Sequence, residues 1–274
     1  MFPKLFSFKT PNFLHGFLPD TLSVNSYGFF IALGLIFAFY IILYKTKNLG
    51  INPDNLSAMF LWCFLAAFLG GKLFFYLEDP MKYIKDPALL TKNIGNGFVF
   101  YGSLVCVVPT IYWWLRKHQI PFWPFMDGVA FGGPVLHSLG RVGCFMAGCC
   151  HGRICNNALG VVFSHPESVA DPKNVPLYPT QLFDIGINLI TLLVVYLVSK
   201  KKQFEGQLFL IYIILYAIGR AINEHFRGDE ERGYLFGGLL SYSQFIAIVL
   251  IIISAAIWYK KSRNLNQEAI KADD

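Results

Sequence analysis

An all-α integral membrane protein is the fold class that three features of this chain predict. Long apolar runs such as FIALGLIFAFYIILY (30–44) and FIAIVLIIISAAIWY (245–259) contain no charge. Of the 274 residues, 55% are hydrophobic, and the mean hydropathy is +0.48. Alternating β-barrel patterning is absent, and a helix is the structure that satisfies its own backbone in lipid. Roughly twenty apolar residues cross the hydrocarbon as a helix.

The elements follow in order. The opening MFPKLFSFKTPNFLHGFLPD has prolines and an aspartate where a cleavable signal needs an apolar region. Residues 1–23 are therefore expected to lie along the membrane interface with their phenylalanines in lipid. Seven spans are expected, at about 24–44, 57–77, 97–115, 121–138, 181–199, 206–223 and 239–259. The fourth carries three prolines and Asp127, which predicts a kink or a position inside the bundle. No repeat or low-complexity linker interrupts 1–274, so one membrane-embedded domain is expected, with a small head at 139–180 and a tail at 260–274.

Loop charge sets the topology. The short connections near 45–56, 116–120 and 200–206 carry KTK, RKH and KKK, and the tail begins KKSR. Seven spans put these four segments on one side, and the positive-inside rule makes it cytoplasmic. The total of basic residues is nearly equal on the two sides, because the opposite loops are longer, so the density decides. The N-terminus, the 139–180 loop and 219–233 then face outward. The net charge of +6 is explained by such flanking residues and gives no case for nucleic acid.

The chemistry gathers in HSLGRVGCFMAGCCHGRIC (137–155), which holds two arginines, two histidines and four of the chain's six cysteines. A charge kept at a membrane usually has a partner. Arg220, Glu224 and Arg227 are spaced to share one helical face, either as a salt-bridge ladder or as a guanidinium site for phosphate. Arginines in two segments on one side favour an anionic lipid headgroup. His137 and Arg141 are one turn apart. Cys144, Cys149, Cys150 and Cys155 read C-x4-C-C-x4-C, which is not a zinc-knuckle spacing, and adjacent cysteines rarely ligate one ion well. A structural disulfide, a thiol relay or plain packing are the other readings. Cys63 and Cys106 fall inside spans and read as packing residues. Gly140, Gly143, Gly148 and Gly152 permit tight turns and a backbone nest for an anion.

Six ordered segments resemble the prolipoprotein diacylglyceryl transferase family. They are SYGFF (26–30), FLGGKLFFYL (68–77), GFVFYGSL (97–104), HSLGRVGCFMAGCCHG (137–152), YPTQLFD (178–184), and GRAINEHFRGDEERG (219–233) with GLLSYSQ (238–244). The resemblance spans nearly all of the chain. It implies a seven-helix bundle of the bacterial inner membrane, open sideways to lipid, with a periplasmic head. It also implies transfer of the diacylglyceryl group of phosphatidylglycerol to the lipobox cysteine of a prolipoprotein, with release of glycerol phosphate and no cofactor or metal. The substrate thiol is the nucleophile, so the chain's own cysteines need not react.

By the same resemblance, Arg141 and Arg220 hold the phosphate and Glu224 orients Arg220. Tyr27 binds the headgroup, Gly152 shapes the pocket, and Gln181 fixes the nearby turn. Gly102, Cys144 and Arg227 join the substrate-binding set. Tyr101 stands where some members have histidine, a proposed base. A neutral tyrosine titrates near 10, so Tyr101 is expected to hydrogen-bond substrate, while His137 or the arginine field eases thiol deprotonation. Cys144, Ala147 and Cys149 stand where some members carry asparagine, asparagine and glutamate. Two other classes stay open at this point: a membrane thiol oxidoreductase using Cys144–Cys155, and a non-enzymatic transporter or receptor.

Overall fold

The computed structural model describes residues 2–9, 21–92, 97–227, 234–235 and 240–273. Much of the expected interfacial segment (10–20) and the acidic stretch 228–233 lie outside the described residues. The long helices are α1 (Ser26–Lys45), α2 (Pro53–Glu78), α5 (Phe100–Lys117), α6 (Phe122–Ala147), α7 (Thr180–Ser199), α8 (Gln207–Glu224) and α9 (Tyr242–Asp273). Each overlaps one expected span. Five of them, α1, α2, α7, α8 and α9, are long and apolar enough to cross a membrane. Short helices α3 (Pro80–Lys85) and α4 (Ala88–Lys92) follow α2.

The all-helical expectation needs one amendment. Three two-stranded antiparallel ribbons accompany the helices: β1 (Lys4–Lys9) with β2 (Thr21–Asn25), β3 (Val161–Val162) with β4 (Pro176–Leu177), and β5 (Tyr234–Leu235) with β6 (Leu240–Ser241). LFSF alternates in the manner a paired strand needs.

The chain forms two compact units, one of residues 1–42 and 126–274, the other of 43–125. In the first, α1 packs on α6 through small residues. A Cβ on Gly34 would sit 3.0 Å from Leu136 Cδ1, one on Gly132 2.8 Å from Ile42, and one on Gly143 3.0 Å from the Tyr27 Cα. Such glycines let helix backbones approach closely where lipid supplies no hydrophobic drive.

Helix α7 is inverted relative to a soluble helix. Its buried residues are Thr180, Gln181, Asp184, Asn188, Thr191 and Val195, at three- and four-residue spacing. Leu182, Leu189, Ile190, Leu193 and Leu197 face outward. Polar groups turned inward and leucines outward suit a lipid solvent.

Asp127 proves to be tucked inside, as its helix position required. Its carboxylate accepts from Gly206 N (2.7 Å) and Phe209 N (3.1 Å) at the start of α8, and from Lys202 Nζ (3.2 Å). A carboxylate on a helix N-terminus satisfies orphan donors and complements the dipole. Burial pulls the Lys202 ammonium down, but Glu205 and Asp127 outweigh it and leave the group above its ordinary value.

Beyond α6, the 148–179 segment has its own small core of Phe163, Ala170 and Leu177, with Phe145 packed against it. The N-terminal ribbon docks there through the Lys4–Glu167 ion pair (2.5 Å) and the Phe2–His165 ring contact.

In the second unit α2 and α5 cross at Gly70 and Gly102. A Cβ on Gly70 would lie 2.7 Å from Cys106 Sγ, and one on Gly102 2.6 Å from Phe74 Cβ. Cys106 is thus a packing residue, as expected.

Candidate active site

The sequence places Arg141 in a loop after residue 138. The structure corrects this: α6 runs to Ala147, so Arg141, Gly140, Gly143 and Cys144 are helical. The helix continues because Gly143 is needed for contact with α1, not for a turn. Gly140 and Gly143 therefore do not form a backbone nest, since their amides belong to the helical ladder.

Arg141 points its Nε at Asp184 Oδ2 of α7, 2.9 Å away. The same Nε donates to His137 Nε2 at 3.2 Å, one turn earlier on α6. His137 also meets the Tyr216 ring at 5.4 Å. Its Nε2 lone pair is engaged by the guanidinium, which makes it a support for Arg141. Asp184 is 3% exposed and is fixed in turn by Asn223, whose Nδ2 donates to Asp184 Oδ1 at 2.6 Å. An ion pair this deep costs several kcal/mol to desolvate, so a group left on one partner is destabilising by about 3–5 kcal/mol.

Arg220 lies on α8. Its Nη2 pairs with Glu224 Oε2 at 2.5 Å and donates to Ser243 Oγ of α9 at 3.1 Å. Its Nη1 is buried and has no hydrogen-bond partner among the described residues. A buried donor left unmade costs about 1–3 kcal/mol, more when charged, so this nitrogen marks a place for an acceptor. Both arginines lie near enough to His137 for their charges to act there. Arg227 is not on the Arg220 face: α8 ends at Glu224, and Arg227 follows a turn in which its amide bonds Glu224 O (3.1 Å). It is buried nonetheless, at 9% exposure.

The segment after α6 is pinned by α7. Gly148, at φ 84°, caps the helix with its amide on Cys144 O (2.9 Å). Gln181 Nε2 donates to Cys149 O at 2.7 Å and Thr180 Oγ1 to Cys150 O at 2.6 Å. Gln181 thus ties the start of α7 to the segment that follows α6. Gly152 is wedged against the end of α8: a Cβ there would run into Phe226 O and sit 2.8 Å from Tyr178 Cβ. Its amide bonds Tyr178 O (2.8 Å), and Arg153 N bonds Phe226 O (3.0 Å).

All six cysteines are free thiols. Cys144, Cys149 and Cys150 bring their sulfurs within 4.8 Å of one another. Cys155 is apart, donating to Asn157 Oδ1 at 2.9 Å. Hydrogen bonding with Cys144 and Cys149 lowers the Cys150 thiol, against burial and aided by Arg141 and Arg227. The same contacts raise Cys149. Tyr27, at the start of α1, is within the electrostatic reach of these thiols and of Arg141.

Tyr101 and Gly102 belong to the other unit, at the start of α5. Tyr101 is 46% exposed, and Gly102 sits in the α2–α5 crossing.

Asp184, Asn223 and Ser243 are the site residues that sequence reasoning missed. A signal existed for Asp184: it is the lone charge in TQLFDIGINLITLLVVYLVS, and a lone charge there demands a partner. Asn223 and Ser243 lie inside the segments 219–233 and 238–244, but neither is charged and nothing in the sequence singles them out there.

Apolar-faced helices with polar and charged groups turned inward define a multi-helix membrane protein. The chain belongs to the prolipoprotein diacylglyceryl transferase family, which matches residues 17–260. It is similar to the phosphatidylglycerol–prolipoprotein diacylglyceryl transferase of Clostridium tetani, at 33% identity over 86% of this chain and 93% of that one. The second such protein of Clostridium perfringens is 34% identical over 84% of this chain and 88% of its own length. The Legionella pneumophila protein is 29% identical over 88% and 93%.

Proposed function

We propose that this chain transfers the diacylglyceryl group of phosphatidylglycerol to the cysteine thiol of a prolipoprotein lipobox. The observation that carries the reading is Arg220 Nη1, a buried cationic donor with no hydrogen-bond partner among the described residues, together with Arg141, which Asp184 holds in place. In the reaction the substrate sulfur attacks the glyceryl carbon that bears the phosphate ester. The S–C bond forms as the C–O bond breaks, and the phosphorus leaves with the headgroup as glycerol phosphate. The thiol proton passes to the leaving phosphate or to solvent. Charge builds on the departing oxygen, where fixed guanidinium donors stabilise the transition state.

Arg141 and Arg220 are assigned to the phosphate, with Asp184, His137 and Glu224 holding their orientation. Tyr27 meets the headgroup, and Gly152 and Gln181 shape the turn beside it. Arg227 and Cys144 line the same region. Tyr101 and Gly102 are assigned to the substrate side, with Tyr101 as a hydrogen-bond donor. We place the protein in the bacterial inner membrane with seven spans, the N-terminus and the 139–180 head outside and the tail inside. The basic connections support that orientation. The thiol-oxidoreductase reading is not favoured: the family to which the chain belongs is one of transferases.

The test uses purified protein in nanodiscs of phosphatidylglycerol with a lipobox peptide. The peptide should gain one diacylglyceryl mass. A peptide with serine in place of the cysteine should gain none. Equal modification of both would refute transfer to sulfur.

A further inference from the structure

We propose that Cys144, Cys149 and Cys150 form a binding site for a soft, thiophilic cation, with Cu(I) the best-fitting occupant. Their sulfurs all lie within 4.8 Å of one another. Neighbouring residues in an extended chain point to opposite faces, which is why adjacent cysteines rarely share an ion. Here Cys150 adopts φ 60°, a left-handed conformation uncommon for a non-glycine residue. That turn folds the second thiol back toward the first.

The arrangement is fixed by the backbone rather than by flexible side chains. Gln181 holds the Cys149 carbonyl at 2.7 Å, and Thr180 holds the Cys150 carbonyl at 2.6 Å. Cys144 is buried in the last turns of α6. A constellation held this way before any ion arrives is what a metal site needs.

The donor set selects the ion. Thiolate sulfur favours Cu(I) and Zn(II) over hard cations. Structural zinc takes four protein ligands. The nearest histidine in sequence cannot supply the fourth, because His151 Nδ1 bonds Gly152 O at 2.9 Å and its Nε2 accepts from Asp171 N at 3.3 Å. Cys155 is turned to Asn157. Three sulfurs remain, which suits a three-coordinate monovalent ion. On binding, each S–H bond is replaced by an S–Cu bond and the proton leaves to solvent. Three thiolates and one Cu(I) carry a net charge of minus two, and Arg141, one turn before Cys144, offsets part of it.

The experiment titrates the reduced, full-length protein in detergent with Cu(I) held by a colorimetric chelator. Wild type should remove one Cu(I) per chain. The Cys144→Ser, Cys149→Ser, Cys150→Ser variant should lose more than the roughly 10- to 100-fold that removing a supporting hydrogen bond costs a metal site. A Cys63→Ser, Cys106→Ser, Cys155→Ser variant should bind as wild type does. A second readout needs no variant: Cu(I) should protect Cys144, Cys149 and Cys150 of wild type from maleimide, read by peptide mass. No uptake, uptake retained without the three cysteines, or no protection of them overturns the site. Zn(II) binding more tightly than Cu(I) overturns the three-sulfur assignment.

Discussion

Arg220 engages its two terminal nitrogens differently. One is locked by Glu224 and Ser243, and the other is buried with no hydrogen-bond partner among the described residues. Lysine keeps the charge but loses the fork that engages phosphate from two directions. Arg141→Lys and Arg220→Lys should therefore each lower kcat by roughly 10²- to 10³-fold, the cost of removing one donor from a charge-stabilising site. Steady-state transfer assays in nanodiscs read this directly. His137 gives a sharper discrimination, because its Nε2 accepts from Arg141. His137→Gln offers another acceptor and should retain activity within about tenfold, whereas a proton-taking base would lose roughly 10²- to 10⁴-fold. Asp184 was readable in principle as a lone charge in an apolar span, but its partner was not. The pairing joins residues forty-three positions apart (184 − 141 = 43), and only the packing of α7 on α6 makes it. Asp184→Asn should lower activity while Asn223 keeps the side chain in place.

Helix α6 shows why boundaries are harder to read than elements. Its prolines and glycines resemble a loop signal, yet the helix persists to Ala147 because Gly132 and Gly143 serve contact with α1. Tertiary contact overrode local propensity, and Arg141 moved from loop to helix. Asp127 behaved as its burial cost demanded, but its partners at the start of α8 could not be seen in the sequence. Asp127→Ala leaves buried amides unsatisfied and should destabilise the fold by about 2–4 kcal/mol. Thermal unfolding in detergent checks this. Transfer measured well below the melting point should stay near wild type, since Asp127 contacts none of the site residues described above. The α2–α5 crossing is equally intolerant of bulk. Gly102→Val would force a methyl pair into Phe74 and should cost about 1–3 kcal/mol in the same measurement.

The molecule as a whole was legible as a helical membrane protein because lipid imposes a crude rule, long apolar helices with polar groups inside. The polar stripe of α7 and the leucines on its other side obey it. The arginines, Gln181 and Gly152 were singled out by the ordered segments around them. The ribbons, the small core under Phe163 and the convergence of three thiols were not, because they depend on contacts between segments distant in sequence. In the transfer, phosphorus leaves with the headgroup while the diacylglyceryl carbon goes to sulfur. Phosphatidylglycerol deuterated in its acyl chains, supplied with a lipobox peptide, tests it in one measurement. Labelled diacylglyceryl should appear on the peptide one-to-one with free glycerol phosphate. Label on the peptide without glycerol phosphate, or a folded protein that transfers none, would contradict it.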